Sequence, residues 1–478
     1  MAKVLEGVRV LDFGRYIAGP YCAALLGDLG AEVIRIEKRE GSEDRWMVPI
    51  LPGDKSFERE GALFMQMNRN KRGMTLDPMK PEGRAIARRM IETADVVIAN
   101  LPPETLGAMG LDYPTISAIN PRVILTTASA FGHGGPYSNR VGFDGVAQVM
   151  CGSAYMSGTP DQPVRSAASW VDYGTASLSA FGTMAALMAR AQTGRGQQVE
   201  GALLATAISF FNAPLMEQAA LKLDRVATLN RGQTAGPSDV VRCKDGWIIV
   251  LINGQPLFRR WVKLMGEPHW LDDPRFATDE LRGDNGEALS ARTADWARDK
   301  TVAEALEALA AARIPANPVY SPQQALDDPH IKAMGFLQGV AYPGLPEPAQ
   351  VATTPIRLSE TPGAIERRPP LLGEHTDEIL GELGYGAAEV RLAAPSPIAS
   401  GTMRKVKAGC AMVCPAIASI TASAGSTGDS RTANRAAAWA PRRRAQAQAA
   451  STIAAASPPF HQSSKVCATI FAVAANGK

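Results

Sequence analysis

The chain has 478 residues, 46% of them apolar and 20% charged, with a formal net charge of +3. It is too long for one hydrophobic core and ordinary in composition for a soluble globular protein, so two domains are expected. No run reaches the roughly 18 uninterrupted apolar residues of a membrane span, and Met1-Ala-Lys-Val-Leu-Glu6 leads into a strand pattern that does not resemble a signal peptide. The charge is uneven: residues 396–478 hold ten Lys or Arg against one acid, Asp429, which leaves residues 1–395 at −6. Basicity confined to a tail gives no reason to expect nucleic-acid binding. The six cysteines, at 22, 151, 243, 410, 414 and 467, fit neither a CxxC motif nor paired zinc knuckles. Reduced thiols, a cytoplasmic location and no metal centre are the expectation.

In chain order, Gly7–Phe13 reads as a buried strand, Ala18–Gly30 as a small-residue helix with Pro20 in its first turn, and Glu32–Glu37 as a second strand. This is a βαβ unit, so a parallel sheet follows. It lacks the Gly-x-Gly-x-x-Gly turn, which removes most support for a dinucleotide site. The basic loop Asn68–Arg72 runs into a short strand; a helix over 81–93 and strands over 95–100 and 121–129 come next, the last opening into the Gly-rich loop Phe131–Tyr137. Ligands of such sheets lie beyond the carboxyl ends of the strands, so the loops 14–18, 68–72 and 129–144 are expected to converge on one crevice. Residues 197–217 read as a helix-rich strut, 240–252 as a hairpin turning at Lys244-Asp-Gly246, 256–314 as mostly helical, and 315–385 as extended segments ending in a loop that enters a helix at 371–380. From about Ala394 the chain is rich in Ala, Ser, Arg and Pro without apolar periodicity, which reads as a disordered tail over 395–478.

The stretch around which the rest is organised is 165–200. A lone acid, Asp172, precedes an apolar, small-residue helix over Tyr173–Arg190 that stops at Thr193-Gly-Arg-Gly196, where a strand is expected to start. Asp172 therefore stands at an expected N-cap, where its carboxylate would take the free N–H groups of the first turn, worth about 1 kcal/mol. The same position suits a nucleophile, because a helix N-terminus favours an ionised carboxylate and a dry cleft makes it reactive.

Nine segments in register over residues 5–392 make the chain resemble a class III CoA-transferase, the group of formyl-CoA:oxalate and carnitine CoA-transferases. They are Val10-Leu-Asp-Phe with Ala18-Gly-Pro20, Leu29–Glu37, Asn70-Lys-Arg72, Pro121-Arg-Val-Ile124, Gly142-Phe-Asp144 with Ala147-Gln148, Asp172, Thr193-Gly-Arg-Gly-Gln197, Cys243-Lys-Asp-Gly246 and Leu372–Asp377. The resemblance implies an α/β fold: a Rossmann-like large domain begun by residues 1–215, a smaller α+β domain over 216–330, a return segment over 331–394, and an interlocked homodimer. It implies Asp172 as the nucleophile that carries CoA from an acyl-CoA to a free carboxylic acid through a mixed anhydride and an aspartyl-CoA thioester. CoA is then substrate and product, with no tightly bound cofactor. Oxyanion stabilisation is expected from backbone N–H groups near the nucleophile.

CoA contacts are implied for Ile17, Ala18, Lys38, Asn70, Lys71, Arg72 and Asn100. Ala108 and Val141 replace an Arg and a Lys of the formyl-CoA transferases, with Arg140 as the substitute for the latter. Asp144 is expected near the site, the alternative being a salt bridge to Arg140. His133 is expected to be a turn residue and His375 a structural tie. The α-methylacyl-CoA racemases share the fold but place a His before the acid matching Asp144; here Phe143 stands there and cannot move a proton. A non-catalytic CoA-binding protein is a third reading, disfavoured while Asp172 is intact. Asn230–Pro237 lacks the glycine run of the formyl-CoA transferases, which points to a medium-size dicarboxylic or aromatic acid instead of oxalate or formate.

Overall fold

The computed structural model describes residues 3–51 and 60–386; the expected tail over 395–478 lies outside them. Six parallel strands form the main sheet: β1 (Arg9–Asp12), β2 (Glu32–Glu37), β3 (Lys71–Thr75), β4 (Val96–Ala99), β5 (Ile124–Ser129) and β6 (Gln198–Ala202), in the spatial order β3-β2-β1-β4-β5-β6. The order reverses direction between β1 and β4, and a crevice opens at the carboxyl ends of strands that diverge in this way. Both faces of the sheet are covered, as a parallel sheet requires. Alternate residues serve the two sides: Leu11, Ile34, Val97 and Leu125 enter one core, while Val10, Val33, Val96 and Ile124 enter the other.

Two helices pack on the second face, α1 (Ala18–Asp28) and the long helix that carries Asp172. Their contact is made by small side chains, Cys22 and Ala23 on one and Ala176, Ala180 and Ala186 on the other. The closeness begins at the turn into α1. A Cβ on Gly19 would come within 2.9 Å of Gly14 Cα, and one on Gly14 within 2.7 Å of Pro20.

Residues 197–217 open with the strand expected after Gly196 and are helical only in their later part. Gln198–Ala202 is a sheet strand, and helices follow only from Leu203. The strand pairs with β5 alone at the rim and is no more than half-buried, so its sequence shows no apolar run. Residues 315–385 differ from the expected extended segments, with short helices at Pro322–Asp327 and Pro329–Met334 started by Ser321 and Asp328 caps. The hairpin expected over 240–252 is present as antiparallel strands Ser238–Arg242 and Trp247–Leu251, joined by Ala316–Pro318 into a three-stranded sheet. That sheet has its own core, in which Phe258, Trp261 and Phe276 are fully buried.

The chain then comes back to the main sheet. Gly73 of β3 exchanges two bonds with His375: its N–H donates to Nδ1 at 3.1 Å and its carbonyl accepts the His375 N–H at 2.8 Å. Thr75 N–H donates to Thr376 Oγ1 at 3.1 Å, and Ile379 and Leu380 of the helix Thr376–Glu382 enter the first core. His375 thus ties the return segment to β3 of the main sheet.

Candidate active site

Helix α2 (Asp144–Met150) precedes the long helix α3 (Trp170–Thr193), and the acid expected to cap α3 does not do so. Ser169 is the N-cap residue and gives no side-chain bond; Asp172 is the third residue inside the helix. The cap comes from Asp144 on α2, whose Oδ2 accepts the N–H of Val171 at 2.8 Å and of Asp172 at 3.1 Å. Gln148, one turn along α2, donates its amide to the other oxygen of Asp144 and to the Ala168 carbonyl, and its Oε1 accepts the Ser166 N–H at 2.9 Å. Asp144 and Gln148 therefore fix residues 166–172. No salt bridge joins Asp144 to Arg140, the alternative weighed for it; the Arg140 guanidinium lies 3.9 Å over the Tyr137 ring.

With the capping done elsewhere, the Asp172 carboxyl group is free to line a cavity of about 340 Å³. Burial, and secondarily the charge of Asp144, pushes its pKa up to about 7. The helix N-terminus was expected to keep this acid ionised, but Asp144 already takes the two N–H groups that would have done so. The N–H groups of Val171 and Asp172 are occupied by the same contact, so backbone donors for an oxyanion would have to come from other residues.

The cavity sits where β1 and β4 diverge. The loop after β1 supplies Arg15, Tyr16 and Ala18; the turn after β4 supplies Asn100; the 129–143 loop supplies Ser129, Arg140 and Phe143. Ala18 opens α1, whose N-cap Ile17 is buried beside it and carries no side-chain cap. Asn100 grips the loop with both ends of its amide, accepting the Arg15 N–H at 2.6 Å and donating to the Arg15 carbonyl at 2.7 Å. Lys38 follows β2 on this side and is paired with Glu43, whose carboxylate stands 3.9 Å from Arg15. The structure thus places Asp172, Ala18, Asn100 and Arg140 on the wall of one cavity; Ile17 and Asp144 are buried behind lining residues, and Lys38 is linked to the loop after β1 only through Glu43.

Asn70, Lys71 and Arg72 are elsewhere, and the loop 68–72 does not reach this crevice. It enters β3 at the amino end of a parallel sheet, opposite to where the ligand crevice forms. Asn70 clasps the return segment: its amide nitrogen donates to Asp28 at 2.9 Å and the Ala364 carbonyl at 2.7 Å, and its oxygen accepts the N–H groups of Glu366 and Arg367. Lys71 is fully buried and donates to Asp12 at 2.7 Å, the Pro20 carbonyl at 2.8 Å and Asn68 at 3.0 Å. Burial would raise the pKa of Asp12, but Lys71 and Arg35 overcome it and hold the group below the usual carboxylate range. Arg72 is saturated by Glu32, Glu378 and Glu382. A larger void of about 540 Å³ lies at this end, but its lining Arg72 is already matched by acids.

Arg15 and Tyr16 were not singled out from the sequence, and Gln148 was noted only as part of a family-matching segment, without a role. The loop after β1 was expected at the crevice, so Arg15 and Tyr16 were within reach of that rule; the signal for a role of Gln148 is its place one helical turn beyond Asp144. His133 lies in the Gly-rich loop, 3.3 Å from Glu200. Among the described residues no cluster of His, Cys, Asp and Glu could hold a metal ion, and no helix is long and apolar enough to cross a membrane.

Residues 5–376 match CoA-transferase family III. The succinyl-CoA–D-citramalate CoA-transferase of Chloroflexus aurantiacus is 33% identical over 386 residues, which cover 80% of this chain and 94% of that protein. The formyl-CoA:oxalate CoA-transferase of Rhodopseudomonas palustris is 34% identical over 82% of this chain and 96% of its own. Among solved structures, a CAIB/BAIF family protein from Brucella suis superposes with a TM-score of 0.70 at 32% identity, covering 80% of this chain and all (100%) of that one. The chain belongs to CoA-transferase family III and is an enzyme of that class.

Proposed function

We propose that this enzyme moves CoA from an acyl-CoA thioester to a free carboxylic acid with Asp172 as covalent nucleophile. The observation that carries the reading is the Asp172 carboxyl group, with its pKa at about 7, on the wall of the cavity shared with Ala18, Asn100 and Arg140. The Asp172 carboxylate attacks the thioester carbonyl, the C–S bond breaks, and CoA leaves as thiolate from an aspartyl mixed anhydride. The thiolate then attacks the aspartyl carbonyl, which releases the first carboxylate and leaves an aspartyl-CoA thioester. The acceptor carboxylate repeats the two steps in reverse order, and Asp172 is regenerated. No step changes oxidation state or needs an external energy source, because thioester and anhydride interconvert at each stage. A partly desolvated carboxylate is a stronger nucleophile than a hydrated one, and a closed cavity protects the anhydride from water.

Arg140, exposed at the mouth, is suited to a CoA phosphate, and Lys38 to the rim of the same anion. The names of the relatives above join CoA transfer to succinyl-CoA, D-citramalate, formyl-CoA and oxalate; most of these acids are dicarboxylic, which supports a dicarboxylic acid as acceptor here. A homodimer is part of the proposal. Its support is the exposed apolar row Leu178, Phe181 and Met188 on the helix that carries Asp172. Incubation with acyl-CoA and hydroxylamine, followed by mass spectrometry, is expected to trap a modified Asp172. Retention of full transfer by Asp172→Ala would refute the reading.

A further inference from the structure

The cavity beside Asp172 carries two guanidinium groups that are held in different ways. Arg140 belongs to the exposed Gly-rich loop and is steadied by stacking on Tyr137. Such a cation suits a phosphate, which accepts charge from many directions. Arg15 is fixed from its backbone outward. Asn100 brackets its peptide group with bonds of 2.6 and 2.7 Å, and the Gly14 N–H before it is held by Asp12 at 2.8 Å. Tyr16 after it has a φ of 60°, a left-handed conformation that a bulky residue keeps only where its surroundings enforce it.

The guanidinium of Arg15 is nevertheless underused. Its side chain is 41% exposed, and the carboxylate oxygen beside it, Glu43 Oε2 at 3.9 Å, is beyond hydrogen-bond reach. That oxygen is itself buried without a partner, while the other oxygen of Glu43 is held by Lys38. A planar fork with free donors on an anchored backbone is the arrangement that recognises a carboxylate by geometry. Next to it the Tyr16 and Phe143 rings meet edge to face at 5.6 Å and give the cavity an apolar wall.

Resting on the transfer reaction proposed above, we infer that Arg15 binds the distal carboxylate of a short aliphatic dicarboxylic acid. The near carboxylate exchanges at Asp172, and the methylene chain lies along Tyr16 and Phe143. Arg15 is then the specificity-determining residue for the transferred acyl group.

The test compares succinate and glutarate with butyrate and benzoate as acceptors, each carbon-13 labelled so that transfer is read as label entering the thioester, with unlabelled succinyl-CoA as donor to the full chain. The wild-type enzyme is expected to prefer the dicarboxylates. Arg15→Gln is expected to lower the ratio of kcat/KM for succinate over butyrate by roughly ten- to hundredfold, the effect of losing a charge-assisted pair. Arg15→Lys restores part of it, and Glu43→Gln raises the ratio by removing the competing carboxylate. A wild-type enzyme that transfers CoA well but favours the monocarboxylates overturns the inference and leaves the reaction standing. So does an unchanged ratio in Arg15→Gln, with any loss confined to the KM for acyl-CoA. Absence of transfer to every acid strikes the reaction itself.

Discussion

Replacing Asp144 by Asn separates the two things this residue does. The amide oxygen can still accept the Val171 and Asp172 N–H groups, while the bond from Gln148 to the other oxygen is lost and the negative charge beside Asp172 is gone. Asp144 Oδ2 lies 3.1 Å from the Asp172 amide nitrogen, and three bonds lead from that nitrogen to the carboxyl carbon, so the two carboxylates are roughly 5–6 Å apart. With an effective dielectric of about 20–40, their repulsion is roughly 1.5–3 kcal/mol, or about one to two pH units. Burial is the larger cause of the raised pKa, which puts the expected change near the lower figure. The proposed nucleophile acts in its ionised form, so wild-type kcat/KM should climb as pH rises through about 7 and fall away below it. In Asp144→Asn the rising limb should move about one pH unit toward acid, readable in a kcat/KM profile between pH 4 and 9 with an assay that separates substrate from product acyl-CoA. A limb that stays in place would refute the electrostatic coupling, and one that is absent from the wild type would refute the raised pKa itself.

Two other variants carry clear signs. Asp172→Asn abolishes transfer but should make the protein more heat-stable at pH 8 by up to a few kcal/mol. The folded pKa of about 7 lies above the ordinary 3.8, so stability from this group is complete below about pH 4 and is lost as pH rises through 7; thermal melts of the two proteins should converge in acid. Lys71→Met strands the buried Asp12 carboxylate with Arg35 at 3.6 Å as its remaining cation, and a broken buried pair costs about 3–5 kcal/mol. Urea unfolding should show that loss. A selective rise in the KM for acyl-CoA at unchanged stability would instead return Lys71 to the ligand crevice.

How legible each part was depended on how local its cause is. Strands β1, β2, β4 and β5 are readable because apolar side chains serve both faces, whereas β6 offers little beyond Val199 to a core, so only its start after the Thr193–Gly196 stop is legible and its extent is not. The importance of Asp172 came from likeness to a family, since its own surroundings fitted a helix cap equally well. What removes that ambiguity is Asp144, which lies 28 residues earlier and reaches the helix through a tertiary contact. Lys71 misled for the opposite reason. A run of Asn, Lys and Arg looks solvated, yet each member was taken up by a partner distant in sequence: Asp12 for Lys71, the 364–367 backbone for Asn70, and Glu378 with Glu382 for Arg72.

The bonds between β3 and the return segment also set an order of events for a chain leaving the ribosome. Gly73 and His375 are 302 positions apart, and at roughly 5–20 residues per second the outer rim of the sheet waits about 15–60 s for its cover. Throughout that interval Arg72 lacks two of its three acids and the free strand edge can recruit another nascent chain. Yield in a heterologous host should therefore respond to translation speed and chaperone supply more than to the stability of the finished fold.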